Sequence, residues 1–131
     1  MSGGARRAVI LVDHGSREPA ANAVLDAMAE LVRELLPGET VHAAHMELAA
    51  PSLTEMIDAC VAEGAREIVV HPYFLAPGRH SKNDIPELAR LAADRHPGVE
   101  LRVTEPLGVH AGIAQAVVAR LSGSGDRSRR G

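Results

Sequence analysis

Two short stretches hold the side chains that could do chemistry. In each, an apolar run breaks into a loop of histidine, arginine and serine. The run from Val9 to Val12 leads through Asp13 to His14, Gly15, Ser16 and Arg17. The run from Ile68 to Val70 leads through Pro77 and Gly78 to Arg79, His80, Ser81 and Lys82. A third stretch places His45 two residues before Glu47. Two imidazoles and a carboxylate with open positions suit a divalent cobalt, nickel, iron or zinc ion. A site that must release its metal is under-coordinated, unlike a closed structural zinc site. His14 and His80 are therefore the expected metal ligands. Glu47 is read as a proton acceptor or third ligand, and equally as an exposed acid at a strand end.

Arg17, Arg79 and Lys82 flank the two histidines and offer forks and a point charge for substrate carboxylates, or they are solvated charges. Ser16 and Ser81 are expected to donate hydrogen bonds to a substrate, with Ser81 also able to cap a helix. Strand alternation aims His45 the way Glu47 points, as a relay or substrate contact or as a satisfied histidine at the sheet end. His71 is expected to pack at the end of its strand, and His110 to sit at the start of the last helix. His42 and His96 read as surface residues, and Cys60 as core.

These loops need a frame, and the pattern supplies one. Apolar runs at Ala8–Val12, Thr40–Met46, Glu67–Val70 and Val99–Thr104 read as strands. Between and after them lie helical patterns at Pro19–Leu36, Pro51–Glu63, a third from Ser81 or Asn83 to Pro97, and Val109–Leu121. The expected inward stripes are Ala23, Leu25, Met28, Leu31, Val32 and Leu35 on the first helix. On the second they are Leu53, Met56, Ile57, Cys60 and Val61, and on the third Ile85, Leu88, Leu91 and Ala92. Four strand–helix units with right-handed crossovers give an α/β fold. It has a four-stranded parallel sheet of order 2-1-3-4 with helices on both faces, as in half of a flavodoxin-like sheet. In that order the exits of strands one and three adjoin at the topological switch point, where such sheets bind ligands. One domain is expected over residues 1–121. Residues 122–131, rich in Ser, Gly and Arg, are expected to form a disordered tail.

Composition narrows the function. A length of 131 residues and 46% hydrophobic residues fit one domain with a real core. Aromatics make up 2% and the net charge is -3, which argues against a nucleic-acid partner. No apolar run is long enough for a membrane span. The apolar run after Arg6 and Arg7 stops at Asp13 without a small-residue cleavage site, so it reads as a strand rather than a signal peptide. A single cysteine fits a reducing cytoplasm. There is no glycine-rich phosphate loop, CxxC pair or nucleophile elbow.

The spaced set of motifs resembles the CbiX/SirB family of sirohydrochlorin chelatases. It comprises His14-Gly15-Ser16-Arg17, and His45-Met46-Glu47-Leu48 with Pro51-Ser52-Leu53. It continues with Pro72-Tyr73-Phe74-Leu75, Pro77-Gly78-Arg79-His80, Asp84-Ile85-Pro86 and Pro106-Leu107-Gly108. The resemblance runs from Val9 to Leu121. It implies a class II chelatase that inserts Co2+ or Fe2+ into sirohydrochlorin, without ATP, on the way to cobalamin or sirohaem. A nickel-inserting relative leaves Ni2+ as an alternative metal. The metal is substrate, and no nucleotide or organic cofactor is implied. By the same resemblance the metal-binding roles fall on His14 and His80. Many members carry two similar halves. One half implies a homodimer, with no nucleic acid or membrane partner. Asp13 and His71 stand where many relatives carry smaller or apolar residues. The alternatives of another class are a metal or tetrapyrrole carrier without turnover, and a subunit completed by a different chain.

Overall fold

The computed structural model describes residues 6–76 and 81–123. Arg79, His80 and the expected tail from residue 124 onward lie outside them. The order is β1 (Arg6–Asp13), α1 (Pro19–Leu35), β2 (Thr40–His45), α2 (Leu53–Ala62), β3 (Ala65–Pro72), α3 (Ser81–Arg95), β4 (Glu100–Val103) and α4 (Ala111–Ser122). The strands are all parallel, in the order β2-β1-β3-β4. This is the topology the alternating pattern requires.

β1 is apolar on both faces because both are covered. Ala8, Ile10 and Val12 join the larger core, with Ile57, Ile68, Val70, Phe74 and Ile85, beneath α2 and α3. Val9 and Leu11 join the smaller core, with Leu25, Ala29 and Val41, beneath α1. Ser52 starts α2 through a capping box: its hydroxyl accepts from the Glu55 amide while the Glu55 carboxylate accepts from the Ser52 amide. α2 thus begins at Leu53, two residues after the expected Pro51. Gly64 follows it at φ 105°, a left-handed position that glycine fills without strain.

Three expectations about facing residues change. On α1, Leu25 and Ala29 are buried, with Met28, Val32 and Leu36 beside them. Leu31 and Leu35 are 54% and 79% exposed. α1 packs chiefly against two strands, β1 and β2, so only a narrow stripe is covered and residues to its side remain in water. On α3, Ala89 joins Ile85 and Ala92 inside, and Leu91 is exposed. His42, expected at the surface, is half-buried, and its Nε2 has no hydrogen-bond partner among the described residues. Burial holds its pKa below the ordinary histidine value, with a smaller opposing effect of Glu63.

α2 and α3 cover one face and α1 covers part of the other, while among the described residues α4 packs closely against none of the other elements. α4 buries no residue and leaves Val117, Val118 and Leu121 exposed at 52%, 59% and 79%. Among the described residues no helix is long and apolar enough to cross a membrane.

Candidate functional site

The carboxyl ends of β1, β2 and β3 meet at one rim, and backbone hydrogen bonds tie their exits together. The Met46 amide donates to the Asp13 carbonyl at 2.9 Å, and the Glu47 amide to the His14 carbonyl at 3.1 Å. On the other side of β1, the Tyr73 amide donates to the Val12 carbonyl at 2.7 Å. The β3 and β4 exits are joined in turn by Leu107 donating to Phe74 and Gly108 to Leu75. The backbones that carry His14 and Glu47 are therefore neighbours, although 33 positions separate them in sequence.

His14 is exposed, and its ring stacks on Phe74, with centroids 4.3 Å apart and planes 28° from parallel. Phe74 is itself buried in the larger core. The imidazole thus rests on a fixed apolar wall while remaining open to solvent. Gly15 makes this approach possible: a Cβ there would lie 1.8 Å from the Glu47 carbonyl oxygen, and its φ is 89°. Beyond Glu47, which is exposed, Leu48 takes a left-handed φ of 72°. Such a backbone costs about 1–3 kcal/mol for a non-glycine residue and collects at functional turns.

The remaining expected residues divide. Ser16 organises its own loop. Its hydroxyl accepts from the Glu18 amide, its amide donates to Asn22 Oδ1, and its carbonyl accepts from Asn22 Nδ2. Glu18, the residue before α1, makes no side-chain cap, so Asn22 fixes the entry to α1. Arg17 is exposed at the same rim. His45 does not face that rim. Its ring is buried, 3% exposed, and its Nδ1–H donates to Asp13 Oδ1 at 2.6 Å. His71 bonds Thr104 Oγ1 at 2.8 Å, and burial lowers its pKa. His110 caps α4 by accepting from the Gly112 amide at 2.8 Å. Cys60 is buried, and burial pushes its thiol up to about 11, so it is an inert core residue. His96, expected at the surface, instead meets Asp58 at 2.7 Å and joins α3 to α2.

Among the described residues no three His, Cys, Asp or Glu side chains form a group that could hold a metal. The second expected ligand, His80, lies outside them, as does Arg79. Ser81 begins α3 and Lys82 follows it.

In the sequence Phe74 has no role beyond its motif, and Asp13 stands out only as a departure from many relatives that could add a proton acceptor or metal contact. Asp13 could have been paired with His45 by alternation, because the two end neighbouring strands. The Phe74 stack depends on a turn that no short-range signal predicts.

This arrangement can be set beside known proteins. The chain is 41% identical over 113 residues to a chloroplastic sirohydrochlorin ferrochelatase of Arabidopsis thaliana, covering 86% of this chain and 50% of that protein. It is 36% identical over 134 aligned residues to a sirohydrochlorin cobaltochelatase of Methanopyrus kandleri, covering 87% and 94%. The fold matches the sirohydrochlorin chelatase SirB of Bacillus subtilis subspecies spizizenii, solved in complex with cobalt. The TM-score is 0.81 at 31% identity, covering 88% of this chain and 50% of that one. The chain thus spans about half the length of two of these relatives and nearly all of the third. The CbiX family model matches residues 8–124, which takes in all four strands from Ala8 onward and the whole rim where His14 and Glu47 meet, and the chain belongs to that family.

Proposed function

We propose that the protein inserts Co2+ or Fe2+ into sirohydrochlorin without ATP, in cobalamin or sirohaem synthesis. The observation that carries this reading is the juxtaposition of an exposed, wall-backed imidazole, His14, with the exit that carries Glu47. The names of the relatives, ferrochelatase and cobaltochelatase, support the same chemistry.

Neutral His14 and His80 hold the partly hydrated metal, since an imidazole must be unprotonated to ligate. The macrocycle's carboxylates pair with Arg17, Arg79 and Lys82. As four metal–nitrogen bonds form, two pyrrole protons leave; Glu47 or another histidine accepts them, directly or through water that carries them on to solvent. Four ring nitrogens then outcompete two imidazoles, and the product departs with the metal.

Two copies of the chain are proposed to form the working unit. The apolar residues that α4 leaves exposed support this.

The test is anaerobic incubation of the protein with sirohydrochlorin and Co2+, Fe2+ or Ni2+ in turn, followed by absorbance. Many turnovers per chain with cobalt or iron are expected. His14→Ala should cost at least about tenfold, because even groups one shell removed from a metal typically cost 10–100-fold. Stoichiometric binding without turnover would make the protein a carrier instead.

A further inference from the structure

We propose that Asp13 and His45 form a positioning pair that holds His14 and Glu47 at their working separation; this rests on the chelatase reading above. Asp13 and His45 are the last residues of β1 and β2 and stand opposite each other in the parallel register. Alternation turns Asp13 to the face that α1 covers. His14, one residue on, turns to the opposite face, against Phe74. Asp13 and His14 are thus consecutive in sequence but divided by the sheet, and Glu47 lies two residues beyond His45, past the end of β2.

His45 is the buried polar residue among the described residues. A buried imidazole needs a partner, and Asp13 supplies it at 2.6 Å, with the carboxylate accepting the Nδ1–H. The ring cannot turn without losing that bond. Three further contacts join His45 to the rim. Its amide donates to the Pro51 carbonyl at 2.9 Å, closing the turn that carries Glu47 and Leu48. Its backbone pairs with Ser52 in an isolated parallel bridge, at the cap of α2. Its Cβ lies 3.1 Å from where a Cβ on Gly15 would sit, so it backs directly onto the His14 loop. Asp13 in turn accepts from the Met46 amide through its own carbonyl.

The side-chain bond therefore locks two strand ends, with the His14 imidazole one residue beyond the first and the Glu47 carboxylate two residues beyond the second. Without it those exits are held by backbone bonds at an open rim. A displacement of about 1 Å at a reacting centre can cost about a hundredfold in rate. At 3% exposure the His45 ring is too deep to touch a macrocycle on the rim, so it acts through the residues it braces.

The experiment compares Asp13→Ala, Asp13→Asn, His45→Ala, His45→Gln and the double alanine variant, each at a temperature where circular dichroism shows it folded. Two readouts are taken: Co2+ binding to the protein alone, and steady-state cobalt insertion into sirohydrochlorin. Either alanine variant should weaken Co2+ binding and lower kcat at least about tenfold. KM for the tetrapyrrole should stay within about twofold of wild type, because no substrate contact is removed. Asp13→Asn keeps the acceptor and His45→Gln keeps a donor, so both should recover most of the loss. The double variant should be no worse than the poorer single, as expected for groups that act as a unit.

Folded alanine variants with wild-type kcat and Co2+ affinity would overturn the proposal, and so would an Asp13→Asn variant as impaired as Asp13→Ala. A fall in melting temperature alone, with both readouts unchanged, would leave the pair merely structural and also overturn it. If the alanine variants do not fold, His45→Phe fills the ring's place but cannot donate, and the same losses are expected. Absence of turnover in the wild type would sink the chelatase reading. The Co2+ titration would still judge the pair.

Discussion

The His14 ring lies 4.3 Å from the Phe74 ring, one on the exit of β1 and the other on the exit of β3. The metal-binding role proposed for His14 needs a fixed ring direction, and a flat apolar wall supplies one without occupying either ring nitrogen. Phe74→Leu should keep the core nearly filled and yet free the imidazole to rotate. It is expected to cost less than about 1.5 kcal/mol in stability, while Co2+ affinity falls by about tenfold, the lower end for lost support around a ligand. Phe74→Ala should add a cavity and cost about 3–5 kcal/mol. Chemical denaturation and metal titration of the same samples separate the two effects.

Gly15→Ala should be severely damaging although it adds one methyl group. That methyl would lie 1.8 Å from the Glu47 carbonyl oxygen, on a backbone at φ 89°. The strained φ alone costs about 1–3 kcal/mol, and relief of the clash must push the β1 and β2 exits apart. A lower melting temperature and loss of insertion are expected together. A stable, fully active variant would show that the two exits are not in contact.

Acid stability should depend on Asp58. Its carboxylate is held below the usual range, first by a hydrogen bond from His96 and then by Arg95. A carboxylate with a depressed folded pKa stabilises the fold above its unfolded value of about 3.9, and that contribution is lost as pH falls through the folded value. Wild type should thus lose stability more steeply than Asp58→Asn as the pH drops below about 4. Near pH 5, with Asp58 ionised, the variant should be the less stable of the two. Unfolding free energies measured across that range check both the slope and the offset.

The exposed face of α4 should decide the oligomeric state. Val118→Glu places a charge beside Val117 and Leu121, which are exposed among the described residues. A single-chain fold should tolerate the change within about 0.5 kcal/mol, the usual range at an exposed site. A dimer built on that face should become a monomer by light scattering. A wild-type monomer, or an unaltered dimer in the variant, would remove α4 from the interface.

Several features were legible in local sequence because they obey short-range rules. Four apolar runs alternating with helical stripes leave a parallel α/β sheet as the consistent arrangement, and crossover handedness then orders the strands. Ser52 and Glu55 at capping-box spacing mark the start of α2, although proline at position 51 drew the expected boundary two residues early. His14 and Glu47 could be placed on one rim because strand exits gather at one edge. Histidine counts could not separate roles, since burial and partners lie in the third dimension. His45 and Glu47 are two positions apart, yet one is buried and the other exposed. β2 ends at His45, so strand alternation does not carry on to Glu47.

The sequence by itself determined the fold, its strand order and the family, because periodicity, turn residues and spaced motifs are local. Only the tertiary structure decided which side chains meet. It set His14 against Phe74, Asp13 against His45 and Asp58 against His96, and it left α4 without close packing against another element among the described residues. Those contacts join residues 32 to 60 positions apart. They arise from register and from which faces the helices cover, quantities that exist only once the sheet is assembled.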